Sequence, residues 1–139
     1  MPSVQSYDFE ESTNQELITE VESILNSYHF TKEYTHGEFD CSDMSKQVMN
    51  ILEQQNISSF LVYKVDPSTL EAHAWVSVVE NSTSAIMIDP TYGGINNVGI
   101  IMHKEKSPFY FYAVDIMTFE EYAYRTGDFL ESQKLYEKI

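Results

Sequence analysis

The sequence predicts an α+β fold in which N-terminal helices pack on a mostly antiparallel sheet, and three observations carry that expectation. Apolar residues recur at helical spacing between residues 17 and 52, β-branched and aromatic blocks follow from residue 59, and two of those blocks are joined by a turn short enough for a hairpin. Helix, helix, then antiparallel strands is the order of an α+β domain. A length of 139 residues suits one such domain.

Residues 1–11, MPSVQSYDFEE, are polar and acidic with no period, which predicts a loose arm. Helical order starts at Ser12 or Thr13. Leu17, Ile18, Val21, Ile24, Leu25 and Tyr28 then lay one apolar stripe along a first helix that ends near Tyr28. Residues 29–40, HFTKEYTHGEFD, carry a glycine and several aromatics without a sustained period and read as a loop delivering the chain to Cys41. From Cys41 to about Gln55, the positions Met44, Val48, Ile51 and Leu52 fall at i, i+4, i+7 and i+8, so a second helix follows with Asp40 as its N-cap.

Three strands are expected at 59–65 (SFLVYKV), 72–79 (AHAWVSVV) and 84–88 (SAIMI), with Asp66-Pro67-Ser68 and Asn81-Ser82-Thr83 as turns. The brevity of the second turn makes the latter two strands an antiparallel hairpin. After Asp89, the segment PTYGGINN is a breaker-rich loop, and two more strands are expected at 98–102 and 109–114. Thr118 with Glu121 three residues on forms a capping box for a short helix, and an amphipathic piece runs from Phe129 to the end. No internal repeat or low-complexity tract interrupts this order.

Composition narrows the function classes. Hydrophobic residues at 42% and charged residues at 22% are ordinary for a globular protein, and the 14% aromatic content, with ten tyrosines, supplies rings that keep one polar tip. Twenty-two acidic residues against eight basic ones give a formal charge of -14, which repels phosphate backbones and anionic lipid head groups. Neither nucleic acid nor a membrane is an expected partner. Acidic surface of this kind is ordinarily solvated, and its more pointed reading is the steering of basic protein substrates. A single cysteine excludes an intramolecular disulfide and a Cys-only zinc site. The N-terminus lacks a basic start and an apolar run, and no stretch approaches the roughly 18 to 20 apolar residues of a spanning helix, so a cytoplasmic protein is expected.

Cys41, His73 and Asp89 are the candidate catalytic residues. Cys41 falls at the first turn of the second helix, where unpaired N–H groups and the positive end of the helix dipole favour a thiolate. His73 opens its strand and by alternation points the same way as Trp75 and Ser77. Asp89 closes the next strand, and hairpin pairing lays its carboxylate beside His73. A thiolate that attacks a carbonyl, an imidazole that accepts and returns the proton and a carboxylate that orients the imidazole are then each present once. Singly, each residue has an ordinary structural explanation: a buried small hydrophobe, a core histidine satisfied by backbone, and a turn starter before Pro90.

The blocks Phe39-Asp40-Cys41-Ser42-Asp43-Met44-Ser45, His73-Ala74-Trp75-Val76-Ser77-Val78 and Ile88-Asp89-Pro90-Thr91-Tyr92 resemble, in order and spacing, the Cys, His and Asp blocks of the transglutaminase-like superfamily. The resemblance spans roughly residues 30–95, about half the chain. It implies a papain-like core whose cysteine heads a helix packed on an antiparallel sheet that carries the histidine and aspartate. It also implies attack of the thiolate on an amide carbonyl, in protein crosslinking, peptide or isopeptide hydrolysis, or deglycosylation of asparagine-linked glycans. Some members of that superfamily are inactive, so a domain that binds a protein or peptide in its groove without turnover is the alternative. Asp40 stands where glycine or tryptophan is common in relatives, Ser77 where an acidic residue is common, and Asn56 where glycine is common.

The oxyanion donor is left unassigned: the Cys41 N–H is one natural candidate, and the sequence does not select Tyr34 or His36 upstream as a second. His29, His36 and His103 make no recognisable zinc spacing, and no metal or cofactor is expected. Gly93-Gly94-Ile95-Asn96-Asn97 lacks the lysine and the context of a phosphate cradle and reads as a turn beside Asp89. Phe109-Tyr110-Phe111-Tyr112 reads as a sheet edge or core strand. The oligomeric state is left open.

Overall fold

Alternation along the central strands gives one sheet two apolar faces, one covered by two helices and the other by an N-terminal segment and a 3-10 turn. The structure is a computed structural model that describes residues 7–65, 72–112 and 115–126. In chain order these form β1 (Glu10–Glu11), α1 (Gln15–Asn26), α2 (Cys41–Gln54), β2 (Phe60–Val65), β3 (Ala72–Val79), β4 (Ser84–Asp89), β5 (Ile100–Met102), β6 (Asp115–Met117) and α3 (Phe119–Thr126), with 3-10 turns at Pro90–Tyr92 and Pro108–Phe111. The protein is α+β, as expected. The expected turn at Asp66-Pro67-Ser68 and the piece from Phe129 onward lie outside the described residues.

The strands run in the order β1-β4-β3-β2-β6, and β5 also joins β4. β3 and β4 form the expected antiparallel hairpin, with Val76 level with Ile88 and Val78 with Ile86. On one face Val76, Val78, Ile86 and Ile88 pack beneath Val21 and Leu25 of α1 and Met44, Val48 and Leu52 of α2. On the other, Val62, Trp75, Ala85 and Met87 lie beneath Phe9, Tyr110 and Phe111. Every one of these side chains is 7% exposed or less, so both faces are true core.

α2 is bounded by two local devices. At its head Asp40 accepts from Ser42 N–H at 3.2 Å while Asp43 accepts from Asp40 N–H at 3.0 Å, a reciprocal capping box. At its tail Asn56 takes φ 63°, and the N–H groups of Ile57 and Asn56 bond the carbonyls of Leu52 and Glu53 at 2.9 Å. This is a Schellman ending, in which the left-handed position takes glycine or, as here, asparagine.

Four expectations are corrected. Residues 7–11 are not a loose arm. Glu10–Glu11 pairs parallel with Ser84 and Ala85, Phe9 is 2% exposed, and Phe9 N–H donates to Phe111 O at 2.9 Å. The acidic run finds its partner far along the chain: Lys104 Nζ reaches Glu10 at 2.8 Å, Asp8 at 3.5 Å and the Phe9 carbonyl at 3.0 Å. Such a long-range cation is invisible to local composition. α1 begins at Gln15 rather than at Ser12 or Thr13, because Asn14 caps it through Leu17 N–H.

β5 begins at Ile100 rather than Val98, because Asn97 Oδ1 accepts from Gly99 N–H at 2.9 Å and holds 97–99 in a turn. The expected strand at 109–114 is instead the 3-10 turn Pro108–Phe111, with residues 113 and 114 outside the described ones. Pro108 has no N–H to give a ladder, and its fixed φ suits the start of a helical turn. Thr118 meets its expectation in part, its Oγ1 accepting from Glu121 N–H at 3.2 Å at the head of α3.

Among the described residues no helix is long and apolar enough to cross a membrane. Replacing Phe9 by Ala is expected to lower the unfolding free energy by about 3 kcal/mol, within the range for large-to-small core changes, as read by urea denaturation. A loose arm would leave the midpoint unchanged.

Candidate active site

The site forms at the end of the sheet where α2 begins. Asp40 turns its carboxylate onto the N–H groups of Ser42 and Asp43, so the cap engages the second and third residues of the helix and not the first. Cys41 is that first residue, partly exposed, with its side chain against the cluster of Leu61, Ala74, Met117 and Phe119. Ser42 Oγ donates to Tyr122 of α3 at 3.3 Å, tying the head of α2 to the last described helix. Burial pushes the Tyr122 phenol up to about 12; the hydrogen bond from Ser42 opposes it, and the electrostatic effects of Cys41, Tyr63 and Asp40 add smaller upward pushes. The phenol is therefore neutral.

His73 is the second residue of β3 and Asp89 the last of β4. The register Val76 to Ile88 sets Asp89 level with Trp75 and diagonal to His73 on one face of the hairpin. The diagonal is closed by side chains, with His73 Nε2 2.9 Å from Asp89 Oδ2. His73 also lies against Trp75, ring centroids 5.5 Å apart. Although it shares the face of Trp75 and not that of the helices, it sits at the strand's beginning and lines the same cleft as Cys41 at the head of α2. Tyr34, Cys41, His73 and Thr91 line one cleft of about 330 Å³ there.

Asp89 is fully buried, and all its donors are close. Oδ1 accepts from Thr91 N–H at 2.9 Å and from Thr91 Oγ1 at 2.6 Å. Oδ2 faces His73 Nε2 and accepts the Tyr110 hydroxyl at 2.5 Å. Burial alone would raise its proton affinity, but the bonds from His73, Thr91 and Tyr110 and the charge of His73 outweigh it and hold the carboxyl below its ordinary 3.8.

His73 shows the same competition with the opposite charge. Burial pulls the imidazole down, yet the hydrogen bond to Asp89, then that to Cys41, and the Coulomb attraction of both push it up to about 9. With Nε2 engaged by Asp89, the ring's other nitrogen, Nδ1, is the one left for Cys41.

No protein-family model, curated protein or solved structure matches this chain. The geometry alone therefore speaks for the site. All three sequence-predicted residues meet at one sheet end, and the Cys41 N–H lies outside the cap bonds. Tyr34 lines the cleft and is 49% exposed, whereas His36 is exposed and does not line it. His29 is exposed, and His103 Nδ1 stands 3.2 Å from Glu11 Oε1, away from the cleft.

Two residues were not anticipated. Thr91 stands next to the DP turn in the Asp block, and the ordinary turn-starting role of Asp89 explains it: one carboxylate oxygen starts the turn while the other faces His73. Tyr110 had one available signal, the proline two residues before it, which argues for a helical turn and against a strand.

Folding stability carries two pH limbs from this pair. Folded His73 keeps its proton up to about 9, while an ordinary imidazole releases it near 6.5, so its stabilisation is complete below pH 6.5 and fades as pH rises through 9. Asp89 is held below 3.8, so its contribution is present above that value and fades as pH falls below it. Urea midpoints across pH are expected to decline between 6.5 and 9, and His73→Gln is expected to flatten that alkaline decline.

Proposed function

We propose that the protein is a cysteine-dependent, amide-directed hydrolase or acyltransferase that works through a thioester acyl-enzyme, with Cys41 as nucleophile, His73 as general base and acid, and Asp89 as orienter. The observation that carries this reading is that Cys41 and His73 line one cleft while the imidazole is bonded to the buried, ionised carboxylate of Asp89 at 2.9 Å. A helix headed by cysteine, beside an antiparallel hairpin bearing histidine and aspartate, supports a papain-like core of transglutaminase-like type built by this chain as one domain. A lone thiol of this kind suits a reducing, cytoplasmic setting.

The chemistry follows from the roles. The Cys41 thiolate attacks the amide carbonyl carbon, and the carbonyl oxygen takes the negative charge beside the Cys41 N–H. His73, as imidazolium, gives its Nδ1 proton to the departing nitrogen, the C–N bond breaks and a thioester remains. Neutral His73 then takes a proton from water or from an amine, which attacks the thioester. The sulfur leaves as thiolate and the imidazolium is restored. Water gives hydrolysis and an amine gives acyl transfer, with all protein groups in the same places.

Asp89 supports this sequence by holding Nε2, which keeps Nδ1 toward the sulfur. A protein or peptide substrate fits the surroundings. The loop that contributes Tyr34 also lines a depression of about 670 Å³ with Thr31, Lys32, Glu33 and Phe39, opposite Ile95. That surface offers both apolar and charged contacts to a chain lying across the cleft.

The test is the rate of Cys41 alkylation by iodoacetamide against pH. At neutral pH the wild type is expected to react faster than His73→Ala on the order of tenfold, since only the thiolate reacts and the imidazolium favours it. The wild-type profile should also carry an inflection near pH 9 that belongs to His73 and vanishes in the variant. Equal rates and identical profiles would sink the activated-nucleophile reading.

A further inference from the structure

We infer that Tyr110 is a positioning residue for the proposed triad: its hydroxyl holds the same Asp89 oxygen that receives the His73 N–H, fixing the carboxylate in line while limiting its grip on the imidazolium. The inference rests on the reading of His73 as general base and acid. Its own ground is a geometry that reading does not use. The Tyr110 hydroxyl lies 2.5 Å from Asp89 Oδ2, and the His73 nitrogen lies 2.9 Å from the same atom.

Two donors on one oxygen compete for its charge. Each hydrogen bond to a carboxylate draws density toward itself and leaves less for its neighbour, so the phenol weakens the pull of Asp89 on the His73 proton. That has a catalytic consequence. An imidazolium must surrender a proton to the leaving nitrogen and take one back, which works best when its proton affinity is not too high for the working pH. Asp89 alone, buried and doubly bonded by Thr91, would raise that affinity further, and Tyr110 tempers it.

The phenol keeps its own proton. Burial first, then the hydrogen bond and charge of Asp89, push Tyr110 far above the ordinary phenol range, with Tyr92 adding a smaller effect in the same direction. It therefore donates to Asp89 at any pH at which the protein works. Among the described residues, the titratable groups that face the Tyr110, Asp89 and His73 cluster are Cys41 from α2, Tyr92 from the turn after β4 and Lys64 of β2, which is level with His73 and holds its Nζ 4.2 Å over the Phe109 ring.

The tyrosine ring is separately anchored, which makes the hydroxyl testable by itself. It stands edge-on to Trp75 at 4.9 Å and to Phe109 at 5.6 Å, contacts a phenylalanine can keep. The experiment is a titration of His73 by its ring resonances in the full chain, for wild type, Tyr110→Phe and Tyr110→Leu, each checked for folding by urea denaturation. Loss of the hydroxyl is expected to move the His73 titration upward by roughly half a unit to one unit, a fraction of one hydrogen bond to a charged group. The upper inflection of Cys41 alkylation should move with it.

The Leu variant, which lacks both hydroxyl and ring, is expected to show the same upward shift as Phe. No shift, a downward shift, or a shift confined to Tyr110→Leu overturns the role of the hydroxyl. These outcomes are distinct from failure of the underlying reading, in which wild-type His73 itself would titrate near 6.5.

Discussion

A fully buried carboxylate is the constraint around which the sheet end is built. Placing an unpaired charge away from water costs several kcal/mol, and a protein keeps it ionised only by surrounding it with donors. Asp89 meets that requirement through groups from three places: His73 on the neighbouring strand, Thr91 in the turn that follows, and Tyr110 in the 3-10 turn twenty-one residues on. Each donor fixes a piece of chain. The β3 to β4 register, the turn at Pro90–Tyr92 and the crossing of Pro108–Phe111 over the Trp75 face must all be right at once for the charge to be satisfied. Losing one donor to a buried charge typically costs about 1.5 to 3 kcal/mol, so the cluster acts as a check on the fold as well as a feature of the cleft.

The head of α2 imposes the second condition. A capping box ties down the start of the helix with two acidic residues, yet their bonds go to backbone N–H groups at Asp40, Ser42 and Asp43 and leave the Cys41 side chain facing the cleft. The helix end thus brings a thiol to an imidazole that is itself oriented from behind by a carboxylate. In that chain of contacts the same atoms serve two purposes. Asp89 Oδ1 starts a turn and Oδ2 steers a histidine, and the Trp75 and Tyr110 rings fill the core while supporting the His73 ring.

Much of this was legible beforehand for local reasons. Asp40 as N-cap, the helix from Cys41, the strand from Ala72 and its hairpin to β4 rest on spacing and turn chemistry within a few residues, and those effects are encoded where they act. The misread N-terminal arm has a remote cause. Residues 7–11 read as part of a loose arm because their partners are remote in sequence: Lys104, which pairs with Glu10, and Trp75 and Phe111, which pack with Phe9. The block Phe109-Tyr110-Phe111-Tyr112 has strand-like composition, but Pro108 and the need to cover Trp75 turned it into a single helical turn.

Residue order therefore specifies the fold class, the main elements and the three residues of the candidate triad, because periodicity, caps and short turns act over neighbouring positions. The burial of Asp89, the raised proton affinity of His73 and the arrival of Tyr110 at an oxygen already shared with the imidazole belong to the folded state alone. They arise from desolvation and from donors far apart in the chain, and neither exists until the sheet has closed and its second face has been covered.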